Sequence, residues 1–443
     1  FRAPLTWVGW TLTGYQLVQI IMLPLAGRLS DTLGRKRVFL ACTAAFTLGS
    51  LLCGLAPSIG FLIGFRALQA LGGGGLMPSA IGIISDQFGD RRAQARGLFS
   101  SVFPIGGIIG PNLGGFIVDN LSWRWIFFVN IPLGILLLVG GLLVLPQYAR
   151  SHEHNKLDLT GAAMFAAGIF SVLFAMTTLA NHPHNLANPM VWGFLALGIL
   201  LLIVFLRHEG RVPAPMVELE LLRWRPFFAA NVYNFIYGAC VFGLFSFIPF
   251  YAHDVYGLSA GDTGLLLTPR SIVMAVTSTI SSFFLIRFGY RLPMIFGAVI
   301  ISITFAILSQ GFHDVSLLGF HPSNMTLLAL IVMIAGFGIG IAGPASNNTA
   351  LDLVPEKISA VAGIRGMFRS TGGVLGTAAI PLALSQFNDK AQGWQAIFTV
   401  LIFVILLIVP LVFLIPDMAR QRHLARRDAV RAAVPEAAGP IEL

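Results

Sequence analysis

The chain has 443 residues, of which 56% are hydrophobic and only 11% charged, and its mean hydropathy is +0.82. A water-soluble surface needs about a quarter of all residues charged. An ordinary cytosolic enzyme, a disulfide-stapled secreted domain and a disordered chain are therefore excluded, and the net charge of +9 belongs to short loops rather than to a nucleic-acid-binding face. Apolar runs long enough to cross ~30 Å of hydrocarbon fall at 6–27, 38–56, 59–84, 97–118, 126–145, 159–180, 190–206, 227–251, 261–286, 292–311, 325–349, 359–385 and 394–416. These thirteen runs are continuous rather than alternating, which points to an all-α polytopic membrane protein and away from a β-barrel.

In chain order, the first run carries Thr11, Tyr15 and Gln19 on one helix face. The loop after it reads Gly27-Arg-Leu-Ser-Asp31-Thr-Leu-Gly34-Arg35-Lys36-Arg37, a tight turn with one acid among four cations. Asp31 there can accept salt bridges or cap a helix N-terminus. Arg66 lies seven residues into the third run, followed by Gln69 and Gly72. A charge at that depth is costly and reads as functional or as snorkelling to the interface.

The run 97–118 holds Gly106-x-x-x-Gly110-Pro111-x-x-Gly114-Gly115, where small residues let helices approach closely and Pro111 bends the helix. Trp123-Arg124-Trp125 through Asn130 and Pro132 opens the next run. Asn231, Asn234 and Tyr237 share a face of the run 227–251, and they serve either cargo contact or interhelical hydrogen bonding. Arg270 sits twelve residues before Ser282, where the next basic loop is taken to begin, ~18 Å deep at ~1.5 Å per residue. Arg369 is also central in its run, while Arg365 is near enough to an end to snorkel. Buried arginines must line an aqueous cavity, bind acidic groups or pair structurally.

Lysine and arginine set the orientation. Twenty-one of the 28 cations fall in one set of alternate loops and the tail, three in the other set, and four inside runs. The expectation is a cytoplasmic C-terminus with residue 1 outside. A shift of 255 lays Gly34 on Gly289 and Tyr15 on Arg270; a shift of 266 lays Gly97, Gly106, Gly107 and Gly110 on Gly363, Gly372, Gly373 and Gly376. Two parallel halves follow. Residues 1–145 form a first bundle with five spans, and 146–226 a linker with two inserted spans. Residues 227–416 form a second six-helix bundle, and 417–443 a cytoplasmic tail. The first half then lacks a counterpart to span 227–251, so a first helix is expected to precede residue 1.

The loop Gly27–Arg37 resembles the signature loop of the major facilitator superfamily. The glycine–proline run at 106–115 resembles its antiporter motif, and the Trp123–Pro132 string with the inserted pair resembles the 14-helix drug:proton antiporters (EmrB/QacA type). The resemblance implies a major facilitator fold and proton-driven efflux of amphipathic drugs from the inner membrane by alternating access, with small molecules, protons and lipid as partners. It implies a latch of Gly27, Asp31, Gly34, Arg35 and Lys36. Proton transfer would involve Arg66 and Gln69, and the hinge Gly106, Gly110, Pro111, Gly114 and Gly115. Cargo contacts would come from Thr11, Tyr15, Gln19, Asn231, Asn234, Tyr237, Arg270 and Arg369. In the family motif a Gly follows the Gln; here Ala70 stands there, which puts close helix approach at that point in doubt.

No acid or His lies deep in a span, and proton coupling normally needs one. Either the acid is in a preceding helix, or Asp31, Asp119 or Asp262 serves, or the protein is not proton-driven. An exporter of lipids, siderophores or other anionic metabolites fits the deep arginines, and a non-transporting sensor fits the scaffold. No phosphate-binding loop, metal spacing or enzyme constellation is present in the sequence, so ATP drive, a cofactor and catalysis are not expected.

Overall fold

A computed structural model describes residues 5–100, 102–146, 158–181, 188–213, 215–258, 260–312 and 323–417. The tail from 418 and the loop cations Arg150 and Lys156 lie outside these residues, as do the side chains of Pro111, Gly115, Asp119 and Asp262. Among the described residues every regular element is a helix.

The first half comprises α1 (Leu5–Leu33), α2 (Arg35–Gly54), α3 (Ile59–Phe88), α4 (Arg92–Ser100), α5 (Val102–Asn120), α6 (Trp125–Phe128) and α7 (Asn130–Val144). Between the two sets of helices lies the pair α8 (Leu159–Asn181) and α9 (Pro189–Glu209). The second half runs through α10 (Leu219–Arg223), α11 (Arg225–Tyr237), a π-helical turn (Gly238–Gly243), α12 (Ile248–Tyr256) and α13 (Ala260–Phe288). It continues with α14 (Arg291–Ser309), α15 (Asn324–Leu353), α16 (Ile358–Leu384), α17 (Lys390–Leu406) and α18 (Ile408–Phe413).

Eight described stretches are long and apolar enough to cross a membrane, or nine if the bent pair Arg225–Gly243 and Ile248–Tyr256 is one span. The other expected spans coincide with α1, α5, α13 and α16. The run 227–251 is not one straight helix, since it bends by 42°. Two local features account for the break. Gly238 and Gly243 lie directly against the backbone of α16, at Arg369 and Gly376. Pro249 is tolerated only in a first helical turn, so α12 restarts there.

Start signals act as side-chain chemistry requires. Asp158 accepts from the Gly161 amide at 2.8 Å, Ser323 from Thr326 at 3.2 Å and Asp389 from Ala391 at 2.9 Å. The two copies of the basic turn share one backbone device: Gly34 and Gly289, paired by the 255 shift, have φ of 99° and 74°.

The pseudo-symmetry extends to packing between the halves. Helix α1 packs on α16, where a Cβ on Gly363 would collide with the Leu23 carbonyl. Helix α4 packs on α13, where a Cβ on Gly97 would meet Ser282 Oγ at 2.6 Å. Positions 97 and 363 are equivalent under the repeat, so both contacts use one small residue to bring the halves together at the basic end.

Candidate functional site

The contacts at the basic end are built first from α1. Gly27 has no side chain, and a Cβ there would collide with the Ser359 carbonyl. That closeness lets Asp31 Oδ2 accept from the Ala360 amide at 2.8 Å, in the first turn of α16. A carboxylate at a helix N-terminus meets free N–H groups and the positive end of the helix dipole. Arg35 stands 3.6 Å from Asp31 and also bonds Asp86 and the Gly82 carbonyl. Lys36 points elsewhere: it holds the end of α7 through the carbonyls of Leu142 at 2.9 Å and Leu145 at 2.6 Å. The second basic turn draws its acid from Asp417, which accepts from the Tyr290 amide at 2.9 Å within the same half.

A second cross-half tie was not legible in the sequence. Arg96 pairs with Asp352 at 2.6 Å, both almost fully buried, and Tyr290 donates its hydroxyl to the other Asp352 oxygen at 2.7 Å. Asn348 Nδ2 adds a bond to the Ala93 carbonyl at 3.0 Å. By sequence Arg96 belongs to the basic stretch Arg91–Arg96; α4 instead carries it into the contact with α15.

In the first half the proton-transfer and cargo candidates converge. Arg66 donates to Gln69 Oε1 at 2.7 Å and to the Thr11 carbonyl at 3.3 Å. Its guanidinium lies 4.1 Å from the centre of the Tyr15 ring and 5.8 Å from that of Phe127. Gln69 passes the chain on to Ser50 Oγ at 2.7 Å. Arg66 is thus held inward and does not snorkel. Close helix approach survives Ala70, because Gly49 of α2 sits on the Gln69 backbone and Gly72 of α3 on that of Phe46. Gln19 lies a turn away, its carbonyl against Gly74.

In the second half Arg365 is 4% exposed, so it does not reach an interface. It donates to Asn347 Oδ1 at 2.5 Å and to Asn234 Oδ1 at 3.5 Å, and Arg369 shares Asn347 Oδ1 at 3.3 Å. Arg369 stacks over Phe242 at 4.6 Å and Tyr237 at 5.2 Å, and Arg270 over Phe245 at 4.6 Å. Among the described residues, the Nε atoms of Arg270, Arg365 and Arg369 are buried without a hydrogen-bond partner. No carboxylate pairs with Arg66, Arg270, Arg365 or Arg369 among the described residues. Asn231 and Asn234 are both buried, and each donates back to its own helix, Asn231 to the Phe227 carbonyl at 2.9 Å and Asn234 to the Ala230 carbonyl at 2.8 Å.

Asn347 was missed. It receives both arginines, and its Nδ2 donates across the halves to Ser100 Oγ. Its neighbour Asn348 made it one of two amides in an apolar run, a signal the sequence did hold.

The glycine–proline run differs from expectation. Gly106, Gly110 and Gly114 have open space where a Cβ would stand, so no described helix is pressed on this face. The close packing occurs in its repeat copy, where Gly372 meets the Phe235 carbonyl and Gly376 the Ala239 carbonyl. The helix that opens the second half fills that face; no described helix does so in the first.

These features agree with known proteins. A family model described as "Major Facilitator Superfamily" matches residues 1–377 and 233–438. Multidrug resistance protein 3 of Bacillus subtilis (strain 168) is 32% identical over 398 residues, covering 87% of this chain and 75% of that protein. Multidrug transporter protein MdtP of the same organism is 30% identical over 374 residues, covering 84% and 67%. The crystal structure of the human organic anion transporter MFSD10 (TETRAN) superposes with a TM-score of 0.62 at 17% identity, covering 90% of this chain and 83% of that one, which speaks for the fold alone. The chain belongs to the Major Facilitator Superfamily and is a multi-pass membrane transporter, not an enzyme.

Proposed function

We propose that this transporter exports amphipathic small molecules in exchange for protons, as a 14-helix drug:proton antiporter of the inner membrane. Its basic end and tail face the cytoplasm, and residues 146–226 insert two helices between rocking bundles. The observation that carries the reading is the Asp31 carboxylate on the α16 N-terminus, which ties the two halves at the basic end. Gly27 and Gly34 set that latch, Arg35 positions Asp31, and Lys36 steadies α7. Arg66, Tyr15 and Gln69 form the polar chain through which protons are handled. Gly110 and Pro111 provide the hinge.

Asp31→Asn removes a charge-assisted bond worth about 1.5–3 kcal/mol. The expected result is roughly tenfold slower ethidium efflux from cells at unchanged expression, since ~1.4 kcal/mol is a factor of ten. Unchanged efflux sinks the latch. Vesicle flux driven by an imposed pH gradient tests proton exchange, and no flux at all favours a sensor.

A second reading has one specific observation behind it. Among the described residues Arg270, Arg365 and Arg369 carry Nε groups without a hydrogen-bond partner, and Arg270 lies beside Phe245 and Arg369 beside Tyr237 and Phe242. Such a set suits an anionic amphipathic cargo, the acid held by guanidinium and the body by rings. Comparing carboxyfluorescein with ethidium in inside-out vesicles separates the two cargo classes.

A further inference from the structure

The inserted helix pair ends in a cluster that no transport step above uses. Asp158, before α8, is 8% exposed and Glu209, the last residue of α9, is 2% exposed. Both carboxyls are half-satisfied. Asp158 Oδ1 accepts from the Gly161 amide at 2.8 Å and lies 3.0 Å from His208 Nε2. Glu209 Oε2 accepts from the Val217 amide at 2.9 Å. Among the described residues, the remaining oxygens, Asp158 Oδ2 and Glu209 Oε1, are buried and receive no N–H or O–H donor. They converge over Gly161, where a Cβ would collide with both.

Two buried carboxylates facing each other cannot both ionise cheaply. One proton between the two free oxygens removes the repulsion and completes the hydrogen bonding. The surroundings say which residue carries it. Asp158 has an amide and an imidazole to stabilise its charge, so Glu209 is the proton's holder and Asp158 its acceptor. Among the described residues Asp158 and His208 are the titratable groups that act on Glu209.

Val217, the residue Glu209 grips, belongs to a strap that leaves α9 and crosses the contact between the halves. The Pro215 carbonyl accepts from Arg28 of α1, next to Gly27. Met216 and Val217 are buried in the main core. Glu218 then pairs at 2.8 Å with Lys357, which directly precedes α16. The strap therefore touches α1 and the start of α16, the same two elements that Asp31 joins.

We propose that Asp158 and Glu209 form a binding site for a single proton at the basic end, and that its occupancy sets how tightly the strap holds the two halves together. With the proton bound, Glu209 bonds Asp158 and Val217 at once and the strap is anchored. With the proton lost, two facing carboxylates repel, Glu209 swings from Gly161, and the Val217 anchor loosens. Acidification at this end tightens the strap and alkalinisation frees it. The site is separate from the arginine and Arg66 clusters and does not depend on the cargo.

The test is hydrogen exchange of the Val217 and Ala360 amides, read by mass spectrometry on the purified full chain between pH 6 and 8.5. Each variant is compared with wild type at the same pH, which cancels the base catalysis of exchange itself. Glu209→Gln can donate to Asp158 Oδ2 at any pH, so it mimics the protonated pair. The expected result is that wild type and Glu209→Gln exchange alike at low pH. At high pH wild type exchanges roughly tenfold faster at Val217, the effect of about one pKa unit of differential interaction. Asp158→Asn, which can donate to Glu209, should behave as Glu209→Gln does and serves if that variant fails to fold. Glu209→Ala should expose Val217 at every pH. Wild type and Glu209→Gln exchanging alike across the whole range overturns the proton site. A protected Val217 in Glu209→Ala overturns the anchor. Neither outcome touches the transport reading, because the measurement involves no cargo.

Discussion

Arg96 and Arg35 are both arginines of short basic stretches, yet their surroundings make them different objects. Arg35 is part-exposed, with Asp31 and Asp86 beside it. Arg96 is 2% exposed, and its Asp352 partner 1%. Removing one member of a buried pair leaves an uncompensated charge and costs about 3–5 kcal/mol. Arg96→Ala and Asp352→Ala should therefore each lower the melting temperature in detergent by several degrees. Tyr290→Phe, which removes one bond to a carboxylate worth about 1.5–3 kcal/mol, should do so by less. If Arg96→Ala melts like wild type, the pair is not a structural tie. Asp31 was visible in sequence because its glycines and cations crowd one turn. Asp352 was not, since its partner lies 256 positions away and burial cannot be read from residue type.

At the level of elements, the same small-residue pattern does two jobs. In α16, Gly372 and Gly376 sit against carbonyls of the helix that opens the second half, so added volume has nowhere to go. Gly372→Ala should destabilise by about 1–3 kcal/mol, as overpacking does, measured by thermal melting. In α5, Gly106 and Gly110 face open space among the described residues. Gly110→Ala should leave melting unchanged or raise it slightly, because Ala gains up to ~1 kcal/mol in helix propensity. If efflux nevertheless falls in Gly110→Ala, the hinge proposal stands; unchanged efflux removes it. The repeat in the sequence predicted equivalent glycines, but which of them are pressed depends on what helix lies opposite.

Across the described residues, the halves meet at the basic end through the two pseudo-equivalent contacts, the Arg96–Asp352 pair and the strap. Gly97→Val should wedge α4 from α13 by meeting Ser282, and Ser282→Gly in the same chain should relieve it. The measurement is the distance between spin labels on α4 and α13, which should lengthen in the single variant and return in the double. No change in the single variant means that this contact yields freely. Asn347 links the same region to the second-half arginines, accepting from Arg365 and Arg369 while donating to Ser100. Asn347→Ala should leave Arg365 without its shortest partner and lower both stability and efflux, whereas Asn347→Asp should tighten the arginines and lose the Ser100 tie.

The sequence by itself determined the membrane class, the all-helical fold and the glycine turn at Gly34. Hydrophobic run length and the glycines of a tight turn are local properties, and local chemistry decides them. The tertiary structure alone decided that α11 and α12 bend apart, that Arg96 is buried and Lys36 is not at the contact between halves, that Asn347 joins two arginines to the other half, and that Asp158 faces Glu209. Each of these depends on which distant backbone lies within a few ångströms. Desolvation and pairing, which set what a charged side chain can do, exist only once that neighbour is in place.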